Sequence, residues 1–336
     1  MIEKHPYETL TPDAVLDALA SVGVFGDGRM MALSSYENRV YQVELEDAVQ
    51  GCGEVVVKFY RPQRWSDEAI REEHAFAAEL VVAEVPAVAP LQVQGDTLHH
   101  HGGFAFSISP RRGGRAPELD DPEVLEWIGR FLARIHGVGR AKPFAHRPQL
   151  DLASFGTASR DWLLGHEAIP LDVEAAWRTA CDAALQAVAH ALGGPAGTYA
   201  PRFHLLRLHG DCHPGNILWT PDAGPHFVDL DDARTGPAVQ DLWMLLSGER
   251  AQRQRQLGAL LDGYEQVRDF DRAELALVEP LRTLRLVHYS AWLARRWADP
   301  AFPAAFPWFG SSDYWNGQLQ MLEEQLEAMA EPPLVA

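Results

Sequence analysis

The run His209-Gly210-Asp211-Cys212-His213-Pro214-Gly215-Asn216-Ile217-Leu218-Trp219, with Phe227-Val228-Asp229-Leu230 after it, constrains this chain more than any other. It reads as an H-x-D-x-x-x-x-N loop, a strand-like run and a second aspartate eighteen residues after the first. Phosphoryl transfer from ATP uses groups in that order. One carboxylate orients and deprotonates the acceptor hydroxyl, an Asn side chain holds Mg²⁺, and a further Asp links the metal to the phosphates. Asp211 is therefore the candidate proton acceptor, and Asn216 and Asp229 are the candidate metal ligands.

Such chemistry also needs a cation on the nucleotide phosphates. Lys58 lies inside the apolar run Val55-Val56-Val57-Lys58-Phe59-Tyr60, and a period of two puts it on one face with Val56 and Tyr60, entering a cleft. The bland alternative is an edge-strand lysine that blunts aggregation. A cleft lysine needs a carboxylate partner from the next helix, either Glu72 or Glu73. At about 100° per residue, Glu73 projects within about 20° of Leu80, inside the stripe of Ile70, Phe76, Leu80 and Val81, whereas Glu72 lies about 80° away. Glu73 is the expected partner. The segment Leu33-Ser34-Ser35-Tyr36-Glu37-Asn38-Arg39 ahead of Lys58 has no glycine. Ser34, Ser35 and the amides around Tyr36–Asn38 remain able to bind phosphate oxygens, unless the segment is an ordinary polar hairpin turn.

His209, Asp211, His213 and Asp229 also allow a metal-hydrolase cluster, but that reading gives Asn216, Lys58 and Glu73 no role. Under the first reading His209 and His213 brace the loop. Asp241 caps a helix or anchors the loop, and Asp231 and Asp232 pair with a cation such as Arg234. His99-His100-His101 reads as a solvated turn. Trp292, Trp297, Trp308, Phe302, Phe306 and Phe309 read as core, with an acceptor groove as the alternative.

The 336 residues suffice for two lobes, and the predicted class is α+β. A helix over 12–20 capped at Thr11, strands at Arg39–Leu45 and Glu54–Tyr60, a helix from Ser66 or Asp67 to about Val82, and strands at Leu91–Gln94, Thr97–His100 and Phe104–Ser109 make a β-rich N-lobe, residues 1–108. A linker near Ser109–Gly114 leads to a helical C-lobe, residues 109–336. Its helices are expected from Asp121 and near 172–192, 238–247, 251–268, 273–298 and 312–330, with strands at Ile217–Trp219 and His226–Leu230. The Glu331-Pro332-Pro333 end reads as a frayed tail. Lys+Arg 29 against Asp+Glu 47 gives a net charge of −18, which argues against nucleic-acid and anionic-membrane partners. No run of 18 apolar residues and no secretory leader is recognisable, so a cytoplasmic protein is expected. The cysteines Cys52, Cys181 and Cys212 form no disulfide or zinc pattern.

With Lys58, Glu73, Asp211, Asn216 and Asp229 in place, the chain resembles the aminoglycoside phosphotransferase/choline kinase branch of the protein-kinase-like fold. His209-Gly210-Asp211-x-His213-Pro214-Gly215-Asn216 is similar to that branch's HGDxHxGN loop, and Leu230-Asp231 stands in place of the Phe-Gly of DFG. The segments Ser35–Tyr41, Val57–Pro62, Arg207–His213, Val228–Arg234 and Arg296–Pro303 resemble those of bacterial serine/threonine protein kinases within the branch. The resemblance implies a bilobal kinase fold and an ATP- and Mg²⁺-dependent enzyme acting on protein Ser/Thr hydroxyls, itself included. It further implies a role in stress survival, with Ser35 at the ATP site; a monomer is expected. A small hydroxyl metabolite is the alternative acceptor, since it presents the same group to Asp211. A nucleotide-binding scaffold without turnover would lack one of these residues, and none is missing.

Overall fold

The computed structural model describes residues 5–335; the expected lobe ends at residues 1 and 336 lie outside them. Helix α1 (Pro12–Ser21) starts where the Thr11 side chain accepts the Ala14 amide and Pro12 takes a first-turn position that needs no donor. An antiparallel sheet follows, built from β1 (Gly26–Leu33), β2 (Arg39–Val49), β3 (Cys52–Phe59), β4 (His99–His101) and β5 (Phe104–Pro110). The strand order is β1-β2-β3-β5-β4. Strict alternation governs β3. Val55, Val57 and Phe59 are fully buried in one cluster with Val15, Ala18 and Leu19 of α1, which leaves Val56 and Lys58 for the opposite face.

Helix α2 (Asp67–Val82), capped by Ser66, turns Ala69, Ile70, Glu73, Phe76 and Leu80 inward. Phe76, Ala77 and Leu80 join the core of the helical lobe, so α2 ties the two lobes together. That lobe contains α3 (Pro122–Gly139), α4 (Ala158–Gly165), α5 (Leu171–Leu192), α6 (Gln240–Trp243), α7 (Arg250–Tyr264), α8 (Val278–Arg296), α9 (Ala301–Ala305) and α10 (Ser312–Ala330). Two small antiparallel pairs flank the functional loops: β6 (Leu205–Leu208) with β9 (Arg234–Pro237), and β7 (Ile217–Thr220) with β8 (Gly224–Phe227). The architecture is the expected bilobal α+β one, a β-rich lobe followed by a mainly helical lobe.

Several elements differ from expectation. β1 carries Gly26 and Gly28, is mostly exposed and contains a register shift, so its sequence shows no alternation. The expected strand Leu91–Gln94 reduces to one bridge, Val93–Asp96, around Gly95 at φ +84°, while the expected strand Thr97–His100 is present in part as β4, in which His99–His101 pairs with β5 instead of forming a solvated turn. The strand expected at His226–Leu230 runs only to Phe227: the Val228 amide still bonds the Asn216 carbonyl opposite it, and the chain then turns at Asp229 (φ 58°) into the 3₁₀ segment Leu230–Asp232. The 273–298 helix divides into a 3₁₀ segment, Arg272–Leu277, and α8. The 238–247 helix shrinks to α6, and α4, β6 and β9 were not foreseen. The C-terminal end is docked, not frayed. Arg250 donates to the carbonyls of Pro332 and Pro333 at 2.8 and 3.0 Å, and Leu334 is buried.

Candidate active site

The loop after β6 is held from beneath. Asp241, fully buried, accepts the His209 amide at 2.9 Å and the Gly210 amide at 2.8 Å, and its Oδ2 also meets His136 Nε2 at 3.2 Å. The other His136 ring nitrogen bonds the Tyr264 hydroxyl at 2.9 Å. α3 and α7 approach closely enough for that contact because Gly129 and Gly263 lack side chains. A Cβ at either would stand 2.0 Å from a carbonyl oxygen of the opposite helix. His209 Nε2 donates to the Val228 carbonyl at 2.9 Å, tying this loop to the one that bears Asp229. Asp241→Ala leaves two buried amides and a buried histidine without their acceptor. We expect it to cost about 3–5 kcal/mol of stability; a denaturant midpoint equal to that of the parent protein would contradict the anchoring role.

Above this base lies a cavity of about 410 Å³, whose wall includes Ser35, Asp211, Asn216, Asp229 and Arg285. Asp211 Oδ1 accepts from Arg285 Nη1 at 2.6 Å, and Oδ2 lies 3.5 Å from His213 Nε2. Burial pushes the Asp211 carboxyl up, but Arg285 and His213 outweigh it and hold the group well below the usual range. Asn216 Nδ2 donates to the Asp211 carbonyl at 2.9 Å, which fixes the amide and leaves its oxygen as the free coordinating atom. Asp229 is a left-handed non-glycine residue (φ 58°, ψ 64°), and its carboxylate is half exposed. Strain of this kind, about 1–3 kcal/mol, persists where the surroundings impose it, commonly at functional sites. Two oxygen donors facing one open cavity suit a hard divalent cation that retains waters. The His/Asp cluster required by a hydrolase does not form, since His209 spends its Nε2 on a carbonyl, and no cluster of three or more His, Cys, Asp or Glu able to hold a metal occurs among the described residues.

Lys58 Nζ meets Asp229 Oδ1 at 2.8 Å and Asp231 Oδ1 at 3.1 Å. Burial lowers its pKa, yet Asp229, Asp231 and Glu73 together raise it well above the ordinary lysine value. Glu73 is buried on the expected stripe, but no ion pair joins it to Lys58; its Oε2 is buried without a hydrogen-bond partner. The expected Lys58–Glu73 pair is thus corrected to Lys58 with Asp229 and Asp231, because the loop after β8 brings two carboxylates closer than the helix does. Glu72 has another task and accepts the amides of Ala145, His146 and Arg147 at 2.6–2.9 Å. Burial pushes Glu73 up to about 7, with Lys58 opposing. The native state therefore holds a proton on Glu73 that the unfolded chain releases near 4.5, and this contribution to stability declines as pH rises from about 4.5 to 7. Glu73→Gln should compare more favourably with the parent protein at pH 8 than at pH 5. Denaturant titrations at both values test this, and an unchanged or reversed difference would refute it.

The glycine-free segment is no ordinary hairpin turn. Glu37 and Asn38 are buried. Glu37 pairs with Arg61 at 2.9 Å and with Arg296 at 3.0 Å, and Trp292 donates to its Oε2. Asn38 donates to Asp231 at 3.1 Å and accepts the Arg61 amide at 3.0 Å. Asp299 accepts from Arg39 at 2.9 Å and Arg61 at 2.6 Å, and the Tyr36 ring packs on Phe306 at 4.9 Å. Ser35 Oγ donates to the Asn38 carbonyl at 3.1 Å, inside this clasp. Asp231 and Asp232 do pair with cations, but Arg64 reaches both, and Arg234 takes only Asp232. The clasp and Arg285 were not foreseen in the sequence, although paired motifs such as Tyr36-Glu37-Asn38-Arg39 and Arg296-Trp297-Ala298-Asp299 carried the complementary charges. The aromatic set divides: Phe302 and Phe309 are core and Trp297 packs on it, Trp292 and Phe306 line the cavity, and Trp308 is a little under half exposed.

Residues 30–278 match the model of the phosphotransferase enzyme family. The chain is 48% identical over 328 residues to "Serine/threonine protein kinase RdoA" of Salmonella typhimurium, covering 98% of this chain and 96% of that one. It is likewise 48% identical over 329 residues to "Stress response kinase A" of Escherichia coli K12, with the same coverage. Among solved structures, amicoumacin kinase hAmiN, in complex with AMP-PNP, Ca²⁺ and Ami, superposes with a TM-score of 0.72 at 17% identity over 96% of this chain and 94% of that one. The microcompartment-associated aminopropanol kinase gives 0.68 at 18% over 95% and 98%. These two similarities concern the fold. Taken with the family match and the relatives' identity over nearly the whole length, they make this chain an enzyme of the phosphotransferase family, built on the kinase-like fold.

Proposed function

We propose that the protein is an ATP- and Mg²⁺-dependent serine/threonine protein kinase, cytoplasmic and monomeric, that phosphorylates hydroxyls of proteins, its own included, in a stress response. The observation that carries the reading is the convergence of Asp211, Asn216 and Asp229 on one cavity, with Lys58 bonded to Asp229 at its edge. Asp211 is the group that orients the acceptor hydroxyl and takes its proton late. Lys58 neutralises the α/β-phosphates, with Glu73 behind it, and Ser35 stands at the phosphates within the clasped segment. Asn216 and Asp229 would hold Mg²⁺, which supplies neutralisation of developing phosphate charge when bound. Because the transition state is loose, the residues act mainly by positioning and by charge. The protein acceptor rests on the relatives' names.

The clasp belongs to this reading, since it holds the phosphate-side segment against the helical lobe. Asp299→Ala removes charge-assisted bonds of about 1.5–3 kcal/mol to two arginines. We expect KM for ATP to rise about tenfold with a smaller change in kcat; an unaltered KM in a folded variant would show that the clasp does not serve nucleotide binding.

A small hydroxyl metabolite as acceptor is the second reading, favoured by the small-molecule kinases among the structural neighbours. Labelled ATP offered to the protein alone, to cell extract and to a panel of amino alcohols and aminoglycosides separates the two. Label on Ser or Thr supports the protein kinase, and label only on a metabolite overturns it.

A further inference from the structure

One side of the cavity, the side that meets Asp211 through Arg285, is lined by one face of α8. Arg285, His288, Tyr289 and Trp292 recur at helical spacing along the first hollow. His288 and Trp292 continue into an adjoining hollow of about 250 Å³, joined there by Arg295 and Arg296. This second hollow is also walled by Arg64 and Arg234, and among the described residues Asp232 is the only carboxylate on its lining. In a chain of net charge −18, four arginines against one aspartate on a single lining departs from the overall composition.

Three of those arginines are already answered. Arg64 bonds Asp231 and Asp232, Arg234 bonds Asp232, and Arg296 bonds Glu37. Arg295 is not. It donates to the Ala158 carbonyl at 3.3 Å and lies over the Trp162 ring at 5.4 Å, and no carboxylate is within ion-pair distance among the described residues. Burial and the neighbouring Arg296 both lower its pKa, the signature of a cation whose surroundings do not supply a counter-charge. Burial takes His288 down to about 3, so the ring that separates Arg285 from Arg295 on α8 is neutral and binds no anion of its own. A partly buried guanidinium beside an open hollow is a site for a carboxylate or a phosphate group.

We infer that this hollow is an anion subsite for the acceptor: Arg295 receives a carboxylate or phosphate on the same peptide segment that presents its hydroxyl to Asp211. The inference rests on the protein-acceptor reading above and adds a charge and a register to it. Arg285, which touches Asp211, and Arg295 are ten residues apart on one helix, about 15 Å at about 1.5 Å per residue. An extended peptide covers that span in about four or five residues at about 3.3 Å each. The favoured segment therefore carries an acidic or phosphorylated residue four or five positions from the Ser or Thr, on one side of it. This reverses the simpler expectation from net charge, under which an acidic protein attracts a cationic acceptor.

The test is a set of Ser peptides with neutral flanks, in which a single Glu, phosphoserine or Lys is moved from seven residues before the acceptor to seven after it. We expect KM to fall about tenfold when Glu or phosphoserine occupies the four-to-five register on one side, with Lys giving no gain there. The Glu and phosphoserine arms distinguish a carboxylate from a phosphate ligand. In Arg295→Gln the ratio of KM values between neutral and acidic peptides should collapse toward one. In Arg295→Glu the preference should pass to Lys at the same register, a result that loss of folding cannot produce. Equal KM at every position, or an acidic preference that survives Arg295→Gln, would overturn the subsite while leaving the kinase reading intact. Transfer to metabolites with none to any peptide or protein would overturn the protein-acceptor reading and this inference with it.

Discussion

Asp211→Asn is expected to lower kcat by about 10²–10⁴-fold while leaving ATP affinity within about twofold of the parent protein. The amide keeps the shape of the carboxylate and can still accept from Arg285, which now bonds Oδ1 at 2.6 Å. It cannot take a proton. The surrounding frame is independent of that side chain, because Asp241 fixes the His209 and Gly210 amides and the Asn216 amide bonds the Asp211 main-chain carbonyl. The loss should therefore fall on turnover and spare nucleotide binding. Single-turnover phosphorylation together with calorimetric ATP titration checks both halves. A rate within tenfold of the parent protein would remove Asp211 from the role of proton acceptor.

Asp229→Ala should act on the other half of the cycle, lowering Mg²⁺-dependent nucleotide affinity by about a hundredfold or more. Its carboxylate is the oxygen group opposite Asn216 in the cavity and also the 2.8 Å partner of Lys58. On the proposed roles, removing it would deprive the metal of a ligand, and it removes a counter-charge from the lysine. The backbone requires a control, because Asp229 sits at φ 58°, where alanine is less tolerated than Asp or Asn. Asp229→Asn keeps a residue suited to that conformation and removes only the charge. Both variants should lose the metal-dependent part of ATP binding, and only the alanine variant should also melt earlier. Normal metal-dependent affinity in the asparagine variant would rule out the assigned role.

Much of the fold was legible because its signals are local. The caps at Thr11 and Ser66, the alternation of β3 and the 3.6-residue stripe of α3 each place their element without reference to the rest of the chain. The failures have physical causes too. β1 has glycines and solvent on most of its length, so tertiary pairing with β2, and not patterning, makes it a strand. The four-residue strands β6 and β9 are too short for a period to register. Helix phase alone places Glu73 on the buried stripe, but it carries no information on Asp229 and Asp231 as closer partners for Lys58.

The order of Lys58, Asp211, Asn216 and Asp229 along the chain pointed to phosphoryl transfer and to the proposed roles of these residues, since that chemistry uses those groups together. Their mutual geometry came from contacts between residues far apart in sequence: Asp241 under the loop, and Arg39 and Arg61 on Asp299 across the lobes. Arg285 on Asp211 is of the same kind, and so is the unanswered Arg295. A charge reads in sequence as a letter with no partner. Only folding decides which carboxylate reaches it, what burial costs it, and whether it is left facing an open hollow.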